Sequence, residues 1–205
     1  DSAGYAQDPS RTIWRYRDWV IDALNENMPF DEFTYQQMAG DLMPKATESQ
    51  RLATAFHRNT LNNEEGGTDD EEFRIAAVMD RTESSFSIWM GLTMKCARCH
   101  SHKYDPISHA EYYQAFDFFN HTRDADKNDD RPHLVSALKA GGKENVKTPI
   151  LMSLKDGKRR NTHILKKGNF LVKLKKVTAG VPAAFNAFPS QVELNRMGFA
   201  RWLMA

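Results

Sequence analysis

Cysteine is the scarcest chemistry-bearing residue of this chain, with two in 205 residues. Both fall in one motif, Cys96-Ala97-Arg98-Cys99-His100, and no second C-x-x-C supplies the other half of a usual zinc site. An excess of charge is also missing. With 28 basic and 27 acidic residues the net charge is +1, so no global field draws the chain to nucleic acid or to a membrane surface. No nucleic-acid motif accompanies the basic residues. No stretch approaches the roughly 18 apolar residues of a transmembrane helix, so no membrane span is expected in this chain. Internal repeats and low-complexity tracts are lacking too. The chain opens on Asp1-Ser2-Ala3-Gly4-Tyr5 without an initiator Met and stops at Trp202-Leu203-Met204-Ala205, apparently within a helix. It reads as a fragment of a longer polypeptide with domains upstream and downstream, and the lack of a signal pattern says nothing about compartment.

What is present suits a folded domain. Hydrophobic residues make up 40%, with 12 Phe, 6 Tyr and 4 Trp, enough to build a core. The first two-thirds read as helices with start signals. Ser10 caps a helix carrying Ile13, Tyr16, Val20 and Leu24. After Pro29, Asp31 caps a second, with Phe30 and Tyr35 placed as a hydrophobic staple. Thr47 with Gln50, Thr68 with Glu71, and Ser108 with Glu111 form capping boxes, the second opening a long helix towards Lys95. The stretch 124–147 turns polar and reads as a loop or insertion. Beyond Pro149, Ile150–Lys155 and Thr162–Lys166 flank Asp156-Gly157 as the strands of a hairpin. Helical spacing returns through Leu194, Phe199 and Leu203. The expected fold is mainly α: a helical domain at 1–122, a polar loop or insertion at 123–148, a β-containing connector at 149–189 and the start of a further domain at 190–205.

The motif C-x-x-C-H is the attachment signature of c-type haem. Two thiols three residues apart lie about one helical turn from each other, so both reach the vinyl groups of one porphyrin, and His100 is then held under the iron. With seven His in 205 residues, chance places a His after such a pair in roughly one case in thirty, which ranks the full pattern above a bare C-x-x-C. Two other readings are open. Cys96, Cys99 and His100, with His102 or Asp105, could assemble a zinc site. The two cysteines could also form a redox dithiol or a structural disulfide, although no βαβ pattern surrounds them. Attachment through cysteine would place the protein outside the cytoplasm.

Several blocks resemble a known family. Tyr16-Arg17-Asp18-Trp19-Val20, Asn27-Met28-Pro29-Phe30-Asp31, Ala55-Phe56-His57-Arg58-Asn59-Thr60, Asn63-Glu64-Glu65-Gly66-Gly67, Asp80-Arg81 and Cys96 through Ser108 are similar to the planctomycete cytochrome-type domain of unknown function. The resemblance covers about residues 1–122. Thr162-His163-Ile164-Leu165, Gly168-Asn169-Phe170 and Gly180-Val181-Pro182 resemble the segment joining that domain to its usual partner, the planctomycete-specific C-terminal domain. Asn195-Arg196 and Ala200-Arg201-Trp202-Leu203 resemble the partner's start. The family implies a large secreted or periplasmic bacterial protein, cytochrome-like, without an established activity.

These readings set the candidate residues. Cys96, Cys99 and His100 would hold haem c, or zinc in the alternative, with His102, Asp105 and Arg58 as supporting groups. For the opposite side of the iron the candidates are His57, His109, His121, His133, Met90 and Met94. Met90 and Met94 are expected to share the helix of the cysteines, Met94 too close to swing over. His109 is expected to face solvent, and His121 and His133 border the polar segment. His57, beside Arg58 and Asn59, is left as distal ligand or as proton donor, facing a pocket shared with His100. Glu64 and Glu65 are a weaker Ca²⁺ candidate, and Asp69, Asp70, Glu71 and Glu72 suit a helix N-terminus. The lysines and arginines between 155 and 176 read as a solvated strand face, or as a surface for an anionic polysaccharide or an acidic redox partner. The function expected is electron transfer or an oxidoreductase step. A metal-dependent hydrolase of polysaccharide using His57, His100, His102 and Asp105 is the rival, and an interaction domain with a Cys96–Cys99 disulfide is the third reading.

Overall fold

The structure, a computed structural model, describes residues 4–5, 11–63, 66–123, 133–138, 145–154 and 159–205. The helices are α1 (Trp14–Asn25), α2 (Phe30–Ala39), α3 (Glu48–Ala53), α4 (Asp70–Met90), α5 (His109–Asn120) and α6 (Arg196–Leu203). Short 3-10 turns lie at Gly40–Leu42, Thr54–Arg58, Lys95–Arg98 and Lys166–Gly168. Strands β1 (His133–Leu138) and β2 (Asn145–Ile150) pair antiparallel, as do β3 (Thr162–Leu165) and β4 (Lys173–Val177). The fold is mainly α with a β-hairpin-containing C-terminal segment, as the sequence indicates. Among the described residues no helix is long and apolar enough to cross a membrane. Two compact units emerge, each discontinuous in sequence: Asp1–Thr68 with Thr122–Ser153, and Asp69–His121 with Leu154–Ala205.

In the first unit, α1 buries Trp19 and Ala23 against Leu52 and Ala53 of α3, with Tyr16, Val20, Met28 and Phe33 around them. Trp19 stacks on Phe33 at 5.3 Å. Leu24, expected in this stripe, is exposed, because Ala23 occupies the inward position of that turn. The N-cap of α1 is Ile13, and Ser10 lies outside the described residues. Helix α2 starts two residues earlier than expected: Pro29 is its N-cap, Asp31 sits inside the first turn, and Phe30 is exposed rather than stapled. The capping box of Thr47 and Gln50 is present with both hydrogen bonds. A second cluster, Ile13, Ala55 and Ile150, brings the end of β2 into this unit. Thr54 fixes it there, its Oγ1 lying 2.9 Å from the Leu151 carbonyl and accepting from the Leu151 N–H at 3.1 Å.

The polar segment expected as a loop or insertion therefore carries two strands, with His133 opposite Ile150. The hairpin expected between Ile150–Lys155 and Thr162–Lys166 does not form. Thr162 instead faces Val177, because the short connection through Lys166–Gly168 folds β4 back onto β3, and a short closure costs less entropy. Asp156-Gly157, the turn proposed for that hairpin, lies outside the described residues.

The second unit packs α4, α5 and α6 with the β3–β4 hairpin. Asp69 caps α4 by accepting from Glu71 N–H, one residue later than the expected cap, while Thr68 instead accepts from Asn63 Nδ2 at 2.7 Å. Thr82 and Ser85, polar but buried, satisfy their hydroxyls on the carbonyls of Val78 and Arg81 one turn back. The box of Ser108 and Glu111 is present on α5. An aromatic core joins α4, α5 and α6: Phe199 lies 5.6 Å from Phe86, 5.0 Å from Phe118 and 5.7 Å from Trp202. Beside it runs a polar line in which Arg74 donates to Asn120 Oδ1, Asn120 to Thr162 Oγ1, and Thr162 to Asp117.

Candidate functional site

Gly91 ends α4 in the left-handed region, at φ 67°, where the Leu92 N–H returns to Phe86 C=O at 3.2 Å. The chain then closes the 3-10 turn Lys95–Arg98. Met90 thus does not share a helix with the cysteines, because Gly91 ends α4 after it, while Met94 is the N-cap of their 3-10 turn. In this turn Met94 and Ala97 are fully buried, while Cys96 and Cys99 are exposed. Residues three apart on a 3-10 turn eclipse one another, so burying the 94–97 pair brings the 96–99 pair out on one side. Both thiols are free.

Arg98 anchors the turn at both ends of its own residue. Its Nε and Nη2 donate to Glu83 Oε1 of α4 at 2.9 and 2.6 Å, and Tyr112 of α5 donates to the same oxygen at 2.8 Å. Its carbonyl accepts from Tyr113 OH at 2.9 Å and lies 3.1 Å from His109 Nε2. His109 is therefore half-buried and turned onto the motif, with its ring edge on Tyr113, where solvent was expected. Burial lowers the Arg98 guanidinium, but Tyr112 and Glu83 outweigh it and hold it above its ordinary value. Burial with Cys99 alongside pushes the Tyr113 phenol up. None of these contacts was foreseen in the sequence, and His109 was singled out there only as a candidate ligand. Arg98 is merely an x of C-x-x-C, and Glu83 stands fifteen residues away.

His100 is exposed, and its Nδ1 lies 2.7 Å from the Ser101 carbonyl. A carbonyl only accepts, so Nδ1 carries the hydrogen and Nε2 keeps the lone pair, the tautomer a ligating histidine uses. His102 is committed differently. Its Nδ1 accepts from the N–H of Asp105 at 2.8 Å and of Tyr104 at 3.3 Å, closing a loop in which His102 N–H also reaches Ile107 C=O. That nitrogen is an acceptor, so its 3.3 Å approach to the Asp105 carboxylate is not a hydrogen bond donated by it. His102 and Asp105 shape the loop after His100.

The other face of the motif belongs to the β3–β4 connection. Cys99 Sγ donates to the Lys167 carbonyl at 3.3 Å. Lys167 and Gly168 both adopt positive φ, 52° and 74°, and a Cβ on Gly168 would lie 3.4 Å from Cys99 Sγ. The same connection continues into Leu171 and Val172, both exposed. Next to Lys95 a cavity of about 310 Å³ mixes Ile88, Leu92 and Met94 with Asp80, Glu83 and Ser87, so it is not an enclosed apolar slot. Burial, with Glu83 nearby, raises the Asp80 carboxyl above its ordinary range. The donor set fits a covalently attached group lying against the surface: two free thiols facing outward and an imidazole nitrogen with its lone pair available.

The remaining candidates fall elsewhere. His57 and Arg58 are buried in the first unit, on the 3-10 turn Thr54–Arg58, with the His57 ring edge 4.9 Å from Phe56. His100 belongs to the second unit. His121 closes α5, with Nδ1 accepting from Arg160 N–H and Nε2 3.2 Å from Asp117. Glu64 and Glu65 lie outside the described residues. Asp69, Asp70, Glu71 and Glu72 are the cap and first turn of α4, as expected of helix-start acids. Among the described residues no three His, Cys, Asp or Glu side chains are grouped to hold a metal ion.

The family model of PSCyt2, described as a protein of unknown function (DUF1549), matches residues 1–124. The chain belongs to the PSCyt2 family. This is a planctomycete cytochrome-type domain of unknown function, and its match includes the whole of Cys96–His100. No curated protein and no solved structure matches the chain. The PSCyt2 stretch does not pack on itself alone. Within the first unit it uses Ile150 and Leu151, and within the second it uses Thr162, Lys167 and Phe199, all beyond residue 124.

Proposed function

We propose that this PSCyt2 protein is an extracytoplasmic c-type haem-binding module of a larger polypeptide, serving electron transfer or an oxidoreductase step. Cys96 and Cys99 would hold haem c as thioethers and His100 would be its axial ligand. One observation carries the reading: a single anchored turn presents both thiols outward, followed at once by an imidazole whose Nδ1 is tied to a carbonyl. When bound, such a group supplies one-electron chemistry. The chain's own part is to hold the attachment points still. Glu83, Tyr112, Tyr113 and His109 fix Arg98 from two helices, so Cys96, Cys99 and His100 keep one geometry.

The rival, a zinc-dependent polysaccharide hydrolase, needs three or four converging donors. The commitment of His102 Nδ1 to backbone N–H groups and the absence of a three-residue donor group among the described residues favour haem over it. The free thiols favour it over a disulfide-held interaction domain.

Protein matured in a periplasm with haem-attachment machinery is expected to retain haem through acid–acetone extraction and to give a pyridine haemochrome spectrum. Cys96→Ala with Cys99→Ala is expected to abolish both. Stoichiometric zinc without covalent haem would reject the haem reading in favour of the hydrolase. The same preparation decides the distal role proposed for His57. A shifted visible spectrum in His57→Ala supports ligation, and an unchanged spectrum and reduction potential reject it.

A further inference from the structure

Charge is segregated in this nearly neutral chain. Residues 95–103 and 159–177 carry ten Lys and Arg and no Asp or Glu. The rest, with eighteen basic against twenty-seven acidic residues, is negative by nine. These two basic segments belong to the second unit and meet at the motif, where Cys99 Sγ donates to the Lys167 carbonyl and Gly168 abuts Cys99. Lys95, Lys103, Lys166, Lys167, Lys175 and Lys176 are all exposed. Lysines on an edge strand protect against aggregation, and that accounts for β4. It does not account for Lys95 and Lys103, which stand on no strand, nor for Lys166 and Lys167 of the 3-10 turn held against Cys99, where Lys167 lies in the left-handed region. Exposed Leu171, Val172 and Tyr104 lie among them, giving the apolar patches with a charged rim of a transient protein interface.

We infer that this surface docks an acidic one-electron carrier protein against the motif. The inference rests on the haem reading above for its redox part and on charge complementarity for the partner. Opposite potentials steer the encounter and raise its rate steeply at low salt, while a weak, small interface lets the partner leave. The exchange moves one electron between the two proteins' own centres and transfers no atom.

The test uses the haem-loaded protein and the variant Lys166→Glu/Lys167→Glu/Lys175→Glu/Lys176→Glu, with the corresponding Gln variant as the neutral intermediate. Stopped-flow oxidation by anionic hexacyanoferrate(III) is expected to slow with rising ionic strength and to fall about tenfold at low salt in the Glu variant, with the Gln variant between them. Cationic tris(phenanthroline)cobalt(III) is expected to show the opposite order. Haem-free protein is expected to bind poly-L-glutamate in a salt-dependent way, and the Glu variant to lose that binding. Rates and poly-L-glutamate binding insensitive to the charge reversal, in protein that carries haem, would overturn the surface and leave the haem reading standing. Absence of covalent haem with poly-L-glutamate binding intact would overturn the redox role and leave an acidic-protein surface. Tighter binding to heparin or to phosphatidylserine vesicles than to poly-L-glutamate would overturn a protein partner.

Discussion

At Asp117 one carboxylate is approached by three groups: Thr162 Oγ1 donates to Oδ1, His121 Nε2 lies 3.2 Å from Oδ1, and Arg159 Nη2 lies 3.8 Å from Oδ2. Burial pushes its pKa up, but the hydrogen bonds from His121 and Thr162 and the nearby positive charges outweigh it, so the carboxyl titrates below its ordinary value. A depressed carboxylate stabilises the fold above the unfolded pKa, about 3.9, and that contribution disappears as pH falls through the lower folded value. Asp117→Asn is expected to cost about 1–3 kcal/mol at neutral pH, and the deficit to shrink as the pH drops below about 4. Urea melts of both proteins across that range check it, and a deficit independent of pH would assign the loss to packing alone. The pairing of such residues was not legible in the sequence, since Asp117 and Thr162 stand 45 positions apart and nothing local links them. Cys96, Cys99 and His100 were legible because their chemistry is contiguous. The commitments of His102 and His109 were not, because they depend on backbone N–H and carbonyl groups that every residue carries.

Helix starts were readable wherever the capping chemistry is local. Thr47 with Gln50 and Ser108 with Glu111 make both reciprocal bonds, and each pair spans only one turn. Strand pairing was not readable, because the partners of β2 and β3 are set by which segment reaches them and both candidate neighbours have strand character. Close backbone approaches are equally silent. Gly40 has an ordinary φ of −57°, yet a Cβ there would lie 1.9 Å from the Gln50 carbonyl oxygen, so the 3-10 turn after α2 and the start of α3 touch through bare backbone. Gly40→Ala is expected to destabilise by about 3 kcal/mol, at the upper end for overpacking, because carbonyl and turn must both move. Gly66→Ala, with nothing within 4 Å of the new methyl, is expected to stay within about 0.5 kcal/mol. Thermal melts of the two variants separate the effects, and equal shifts would show that the contact at Gly40 relaxes freely.

The two units of the molecule are each assembled from separated stretches, so the segment that carries the family pattern draws part of the packing of both from residues beyond it. A polypeptide ending at residue 124 keeps α1 to α5 and the haem motif. It loses Ile150 from the cluster with Ile13 and Ala55, and the Leu151 backbone bonds to Thr54. From the second unit it loses the Lys167 carbonyl on Cys99, and Phe199 and Trp202 from the aromatic core around Phe86 and Phe118. Burying one such aromatic contributes about 1.5–3 kcal/mol, so the two aromatics and Ile150 together offset most of the 5–15 kcal/mol by which a domain is stable. The shortened chain is therefore expected to show helical far-ultraviolet dichroism without near-ultraviolet signal and without a cooperative thermal transition. The full chain is expected to melt cooperatively. If the shortened chain melted cooperatively within a few degrees of the full one, residues 125–205 would be accessory, and the packing of Ile150, Phe199 and Trp202 would contribute little to the fold that holds Cys96, Cys99 and His100 in place.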